Sequence, residues 1–482
     1  MKIRRERFAA AHEGTAPDTA RVTSRRTVLK VAGAAAVGAS ALGVSLSSGA
    51  PAAAAGAYDV IVIGAGFAGV TAARELSKQG KRVLILEARH RIGGQTWTAT
   101  VGGQLVEMGG TWVDPATMPH VGAELQRYGI QLQEEGAIER LILPTPAGPL
   151  EHDVATGFAH AAELRVRLFE GSAQYFERPM DPLYRLDLLQ SVDAKSLRDR
   201  LTELAYSPAD EMLVNGETAL LSGGSSTQGG LTTLAHRWQL AGGTETGWNN
   251  TLRWTMKGGT LGLLNAMLKD SVNARLILNS PVASVADGGA LRYVTTKAGV
   301  QYSAPAVIVA VPANVWQTIR FSPSLPAAHC AATTQGIGVA SAKKLWIHAR
   351  SGQGRVFAQG AEGGASIPWM QAGPATAEGQ LYVGFSADPN LDVRNVAQVK
   401  AAVKQLGVDL DIISVTAHDY GNDPYSRGGW SFRKRKQLTT LYPQILQPNG
   451  KIAFASSDIA NGWSGYMDGA IESGLRAVKQ LA

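Results

Sequence analysis

The chain has 482 residues, an apolar fraction of 45% and 55 glycines, which excludes a single small core and suits a large α/β protein of two domains able to enclose a cofactor. Of its formal charge of +7, an excess of five falls in the first thirty residues; the remaining +2, with no basic aromatic module, excludes nucleic acid as an expected partner. Cys330 is the only cysteine, so no intramolecular disulfide can form and folding relies on a packed core.

The first organised stretch, "SRRTVLK" at residues 24–30, precedes the mild apolar run "VAGAAAVGASALGVSLSSG" and then "APAAAA". It resembles a twin-arginine export signal, with cleavage expected at residues 52–56. The run is too rich in Ala and Gly to favour a permanent membrane anchor. Residues 1–56 therefore read as signal and linker, and the destination as periplasmic or extracellular. That route carries proteins already folded, which agrees with a single cysteine in an oxidising compartment.

A strand–turn–helix–strand unit begins directly after it. Residues 59–63 form an apolar run fit for a buried parallel strand, and Gly64, Gly66 and Gly69 make GxGxxG. Helical periodicity runs over 67–79 and stops at Gly80; a second apolar strand, 82–86, ends at Glu87. The first glycine permits a tight turn, the second a close backbone approach to a pyrophosphate, and the third helix-on-strand packing. Phosphate charge then sits at the positive end of the helix. A lone GxGxxG is weak evidence, but strand, glycines, helix, strand and acid in order mark a nucleotide site. Glu87 is placed to accept from ribose hydroxyls, which disfavours a 2′-phosphate; FAD and NAD remain.

Two stretches follow, "RIGGQTWT" at 91–98 and "VEMGGTWV" at 106–113. Beyond residue 128 the alternation gives way to mixed, partly helical sequence that reads as an inserted domain. Nucleotide-domain character returns at "WTMKGGTLGLLNAMLKD" (254–270) and continues through strand-like runs to "PAVIVAVPANV". A last strand, "GKIAFASSDIA", leads into "NGWSGYMDGAIESGLRAV", where apolar residues from Met467 onward recur at steps of three and four. Acids early and bases late complement the dipole of that amphipathic helix.

From residue 58 to the end, the order of these motifs resembles the flavin-dependent monoamine oxidase family. "GGTWV", "GGTLGLLNAML", "DPYSRGGW" and "NGWSGYMDGAIESGLRA" are most similar to the bacterial nicotine and pseudooxynicotine oxidase branch. The resemblance implies an α/β fold: a Rossmann-like FAD-binding domain assembled from 57–130, 254–320 and 420–482, and an inserted α+β substrate-binding domain from 131–253 and 321–419. It implies oxidation of an amine carbon–nitrogen bond by hydride transfer to the flavin, giving an iminium that hydrolyses to a carbonyl product.

By the same carry-over, FAD is held at Gly64, Gly66, Gly69, Glu87, Ala88, Arg89, Gly94, Gln95, Thr96, Gly109, Gly110, Thr111, Trp112, Val282, Asp458 and Met467. Val282 falls near the adenine, and the backbone at Met467 faces the flavin's pyrimidine edge. Gln95 stands where the family usually has Arg, and Asp458 where many relatives have Glu. Trp430 and Tyr466 match the two aromatic positions of a cage flanking the flavin. Lys344 matches a lysine that holds a water near its reactive nitrogen, with Lys343 the competing candidate. No cysteine adjoins the cage position, so the FAD is expected to be noncovalent. No HExxH motif or ligand-spaced cysteine set calls for a metal.

The expected partners are a small-molecule amine and either oxygen or a c-type cytochrome as electron acceptor. "RKRK" at 433–436 reads as a solvated loop or as a docking patch for an acidic carrier. Oligomeric state is open, with a homodimer as one expectation. Two other readings compete: an L-amino-acid oxidase, for which Arg427 is a candidate carboxylate clamp, and a flavoprotein that isomerises or only binds its ligand.

Overall fold

In the computed structural model the described residues are 58–350 and 352–482; the export signal read at 1–56 lies outside them. The chain opens with the strand β1 (Val60–Ile63), the helix α1 (Phe67–Lys78) and the strand β2 (Val83–Leu86). The hairpin β3 (Thr98–Val101) and β4 (Gln104–Glu107) follows. Next come β5 (Arg140–Thr145), β6 (Gly148–His152), α2 (Pro208–Leu221) and α3 (Leu231–Leu240). Further along lie β7 (Ala274–Ile277) and β8 (Ala306–Val309). Then follow β9 (Lys343–Arg350), β10 (Val356–Gln359), β11 (Trp369–Ala375), β12 (Gly379–Ser386) and β13 (Ile412–Asp419). The last strand is β14 (Ile452–Phe454), and the helix α4 (Met467–Leu481) ends the chain.

One sheet is parallel throughout, in the order β14-β8-β1-β2-β7. Its strands other than the edge strand β7, which carries the exposed Arg275, are apolar on both faces, as a strand covered on both sides must be. Val60 and Val62 join the core that holds α1 and α4, whereas Ile61 and Ile63 join the opposite core around Trp316 and Phe454. A Cβ on Gly474 of α4 would stand 2.5 Å from the Ala68 carbonyl oxygen of α1. That close approach is why this helix pair carries a glycine in mid-helix, at some cost in helix propensity.

A larger sheet runs β13-β9-β12-β11-β10-β5-β6, antiparallel except where β10 meets β5. In β9 the side chains alternate between two surroundings. Leu345 and Ile347 enter one apolar core; Trp346 enters another, on the side where Lys344 also lies. The fold is thus mixed α/β, with one parallel sheet and one mainly antiparallel sheet.

Candidate active site

A cavity of about 410 Å³ is lined by the β1–α1 turn, the β3–β4 region, α2, α3, the β9–β12–β11 surface and the start of α4. At one end the glycines are sterically required. A Cβ on Gly64, which has φ 105°, would lie 2.4 Å from the Ala310 carbonyl oxygen, and a Cβ on Gly69 would lie 2.0 Å from the Gly64 carbonyl oxygen. Gly66 begins α1 with no side-chain cap, and Gly66, Phe67 and Ala68 all line the cavity. The first amides of the helix therefore face a space that suits an anion. Buried Glu87 is held by the turn: one carboxylate oxygen accepts from the Ala65 amide and the other from the Arg89 amide, each at 2.8 Å. Both oxygens keep a lone pair for further donors.

Ala88, Arg89, Gly94, Gln95, Thr96, Val282 and the run Gly109, Gly110, Thr111, Trp112 line the same cavity. Gly69 does not line it; its place is the α1–β1 contact. Arg89 donates to Asp423 at 2.7 Å and to Ser426 at 3.0 Å. Gln95 brings no cation to the cavity wall. Its amide donates to the Gly428 and Gly429 carbonyls at 2.9 and 3.2 Å, tying "RIGGQTWT" to the segment that carries Trp430.

Asp458 does not line the cavity directly; its carboxylate accepts from the Ala313 amide at 3.0 Å. Burial pushes this carboxyl up to about 6. Its neighbours Ser456 and Ser457 reach the cavity instead.

Lys344, Trp112, Trp369, Phe385 and Trp430 form one contacting cluster on the cavity wall, and Tyr466 lines the same cavity. Lys344 pairs across the sheet with Phe385, which pairs with Trp369, so one sheet face presents all three. The ammonium of Lys344 donates to the Gly109 carbonyl at 2.8 Å and to the Thr111 hydroxyl. Burial pushes its pKa down to about 7, opposed by Glu107 and Glu135. Lys343 points to the other side, where it donates to the Asp388 carbonyl and lies 3.9 Å from Asp419. Strand alternation thus selects Lys344 over Lys343 as the cavity lysine.

Trp430 meets Phe385 edge-on at 5.7 Å, and Tyr466 meets Trp463 edge-on at 5.0 Å. Their backbones are brought together by a glycine. A Cβ on Gly465 would stand 2.8 Å from the Ser431 Cβ, and the Ser431 and Ser464 hydroxyls are 3.1 Å apart. Tyr466 is the N-cap of α4 and makes no side-chain cap, so this helix also opens at the cavity, beside Met467.

Three residues escaped the sequence reading: His236 and Arg237 on α3, and Arg433. The run "RKRK" is split: Arg435 and Lys436 are exposed, Lys434 is half-buried and Arg433 is buried. Arg433 is 3% exposed and lines the cavity, Lys434 donates to the Gln335 carbonyl, and Arg435 lies 3.9 Å from Asp199. Arg427 is exposed and sits beside Tyr425, whose ring lies under Arg89 and Lys297. Cys330 packs at the edge of the core around Trp316 and Phe454 and does not line the cavity.

The family model for flavin containing amine oxidoreductases matches residues 67–482. The chain belongs to this family. It is 32% identical to a nicotine dehydrogenase of Pseudomonas putida (strain DSM 28022 / S16), over 88% of this chain and 89% of that protein. It is also 32% identical to a pseudooxynicotine dehydrogenase of a Pseudomonas species, over 88% and 86%. Cyclohexylamine oxidase from Brevibacterium oxydans IH-35A shares the fold, with a TM-score of 0.71 at 20% identity over 88% of this chain and 98% of that one.

A flavin amine oxidoreductase binds FAD, and the cavity fits it. A glycine turn and an uncapped helix suit the diphosphate, Glu87 suits a ribose, and an aromatic wall with a second uncapped helix suits the ring. The closeness of Gly69 to the Gly64 carbonyl gives a direct expectation. Gly69→Ala should lose about 1–3 kcal/mol of stability through overpacking and purify largely without flavin. Thermal unfolding and the protein-to-flavin absorbance ratio measure both.

Proposed function

We propose that this flavin amine oxidoreductase oxidises a secondary or aryl-alkyl amine, a class that includes nicotine-like compounds. One observation carries the reading: Lys344, Trp430 and Tyr466 line the same cavity as the glycine turn and Glu87. The names of the two relatives at 32% identity, nicotine dehydrogenase and pseudooxynicotine dehydrogenase, support the amine class. When bound, FAD supplies the acceptor for a hydride from the amine α-carbon. Trp430 and Tyr466 hold the amine nitrogen between ring faces and exclude water. Lys344 orders a water and carries a proton at its amine nitrogen. The open amides at the start of α4 stabilise negative charge developing against them. The iminium product hydrolyses to a carbonyl compound.

The domain division follows the same reading: 57–130, 254–320 and 420–482 serve FAD, and 131–253 with 321–419 serve the substrate. FAD is held noncovalently, since the cage segment reads Gly428, Gly429, Trp430 and Cys330 packs elsewhere. The chain is exported by the twin-arginine route to the periplasm or beyond, on the strength of "SRRTVLK". The electron acceptor is oxygen or a c-type cytochrome, and the dehydrogenase names of the relatives favour the second. With Arg433 buried, salt-sensitive docking of an acidic carrier at 433–436 would rest on the exposed Arg435 and Lys436 and the half-buried Lys434.

Anaerobic addition of nicotine-like, aryl-alkyl and polyamine substrates tests the function. Bleaching of the flavin band by a secondary or aryl-alkyl amine supports it; a band untouched by every amine identifies a non-redox flavoprotein. Reoxidation by air against a c-type cytochrome then assigns the acceptor.

A further inference from the structure

The cavity wall beside Tyr466 carries two guanidiniums, Arg237 and Arg433, that no carboxylate contacts; the acid that acts on Arg433 is the more distant buried Asp193. The Arg237 guanidinium stands 5.5 Å from the Tyr466 ring centroid and 4.3 Å from that of Trp248, and Arg237 lines the cavity. It donates once, to the Thr251 hydroxyl at 2.9 Å, and its buried Nε has no partner. Arg433 lines the same cavity and is almost wholly buried; its Nη2 donates to His236 Nδ1 at 3.0 Å, while Nε and Nη1 have no partner.

His236 adds no compensating charge. Its Nε2 donates to the Pro179 carbonyl at 2.6 Å, which leaves Nδ1 as the acceptor of a neutral ring. Among the described residues neither arginine has a carboxylate within 4.0 Å. Other buried arginines do: Arg74 has Glu124, and Arg165 has Glu217 and Glu245. Glu217 is the one acid lining this wall, and Arg165 already binds it, as does the Trp248 indole N–H at 3.1 Å.

Two guanidiniums withdrawn from water without a contacting carboxylate are costly, and an anion delivered with the ligand relieves that cost. A second ammonium on the substrate would raise it. Resting on the amine-oxidation reading, we infer that Arg237, backed by the field of Arg433, is a recognition site for a carboxylate carried by the amine substrate. The amine then lies at Tyr466 and Trp430 with its carboxylate toward α3. The positive wall also favours the deprotonated amine, the form that can give up a hydride. Arg427, the candidate clamp from sequence, lies at the Arg89 and Tyr425 region instead.

Matched pairs test this on the FAD-loaded enzyme: 6-aminohexanoate with hexylamine, and L-leucine with 3-methylbutylamine. Binding is read from perturbation of the oxidised flavin band, and turnover separately from anaerobic bleaching. In at least one pair the carboxylate member should bind about tenfold or more tightly than the alkylamine, the scale of a charge-assisted hydrogen bond. Arg237→Gln should abolish that preference by weakening the binding and raising the KM of the carboxylate member about tenfold more than those of its alkylamine, and be partly rescued by Arg237→Lys. Preference for the alkylamine in both pairs, or equal weakening of both members in Arg237→Gln, overturns the inference. A carboxylate preference in binding with no bleaching by any amine keeps the anion site and sinks amine oxidation.

Discussion

Lys344→Met should lower the limiting rate of flavin reduction by amine about a hundredfold, within the range for loss of a positioned acid–base group. It should also remove a rise in that rate through pH 7. The sign follows from burial, which brings the Lys344 pKa down from 10.5 to about 7. Above pH 7 the folded protein holds a neutral amine at the cavity wall, able to accept a proton from an ordered water; below it the group is charged and can only donate. The same shift has a stability consequence. Between pH 7 and 10.5 the unfolded chain binds more protons than the folded one, so this residue makes stability rise with pH across that window. Below pH 7 the penalty for burying its charge is fully present. The Met variant, free of that penalty, should unfold no more easily than wild type at pH 6. A flat pH–rate profile in Lys344→Met with an undiminished melting temperature therefore separates lost chemistry from lost fold, and a wild-type rate in the variant would overturn the role.

What was legible in the sequence is what local pattern and periodicity encode. The run Val60–Ile63 forms its strand, α1 spans Phe67–Lys78 just before Gly80, and the terminal helix starts at Met467 where the apolar spacing begins. Lys344 and Lys343 could not be separated without the register of β9, which supplies the alternation. Arg433 was hidden for another reason. Its meaning depends on His236, 197 residues earlier, and a run of four basic residues reads as surface until a long-range contact buries one of them. The motif did not show where the Asp458 carboxylate turns: it accepts from the Ala313 amide. Gln95 shows the reverse, since losing the family's cation left a side chain that fastens two site segments together.

Tyr466→Ala should retain FAD and lose most amine turnover, by about a hundredfold, the cost of releasing a substrate from its reacting geometry. The expectation rests on what the ring touches. Tyr466 packs edge-on against Trp463 and lies under Arg237, and it lines the same cavity as Lys344 and Trp430. The glycine turn, Glu87 and the hairpin that present the nucleotide end are built from other segments. Truncating the ring therefore removes a wall from the amine and not the cradle from the cofactor. Tyr466→Phe keeps the ring face and should retain most of the rate, because the proposed cage acts through the ring quadrupole and not through the hydroxyl. Flavin content by absorbance and single-turnover reduction rates in both variants measure the two effects separately. Full turnover in Tyr466→Ala would reduce Tyr466 to a packing residue on Trp463 and leave Trp430 as the one aromatic wall of the proposed cage.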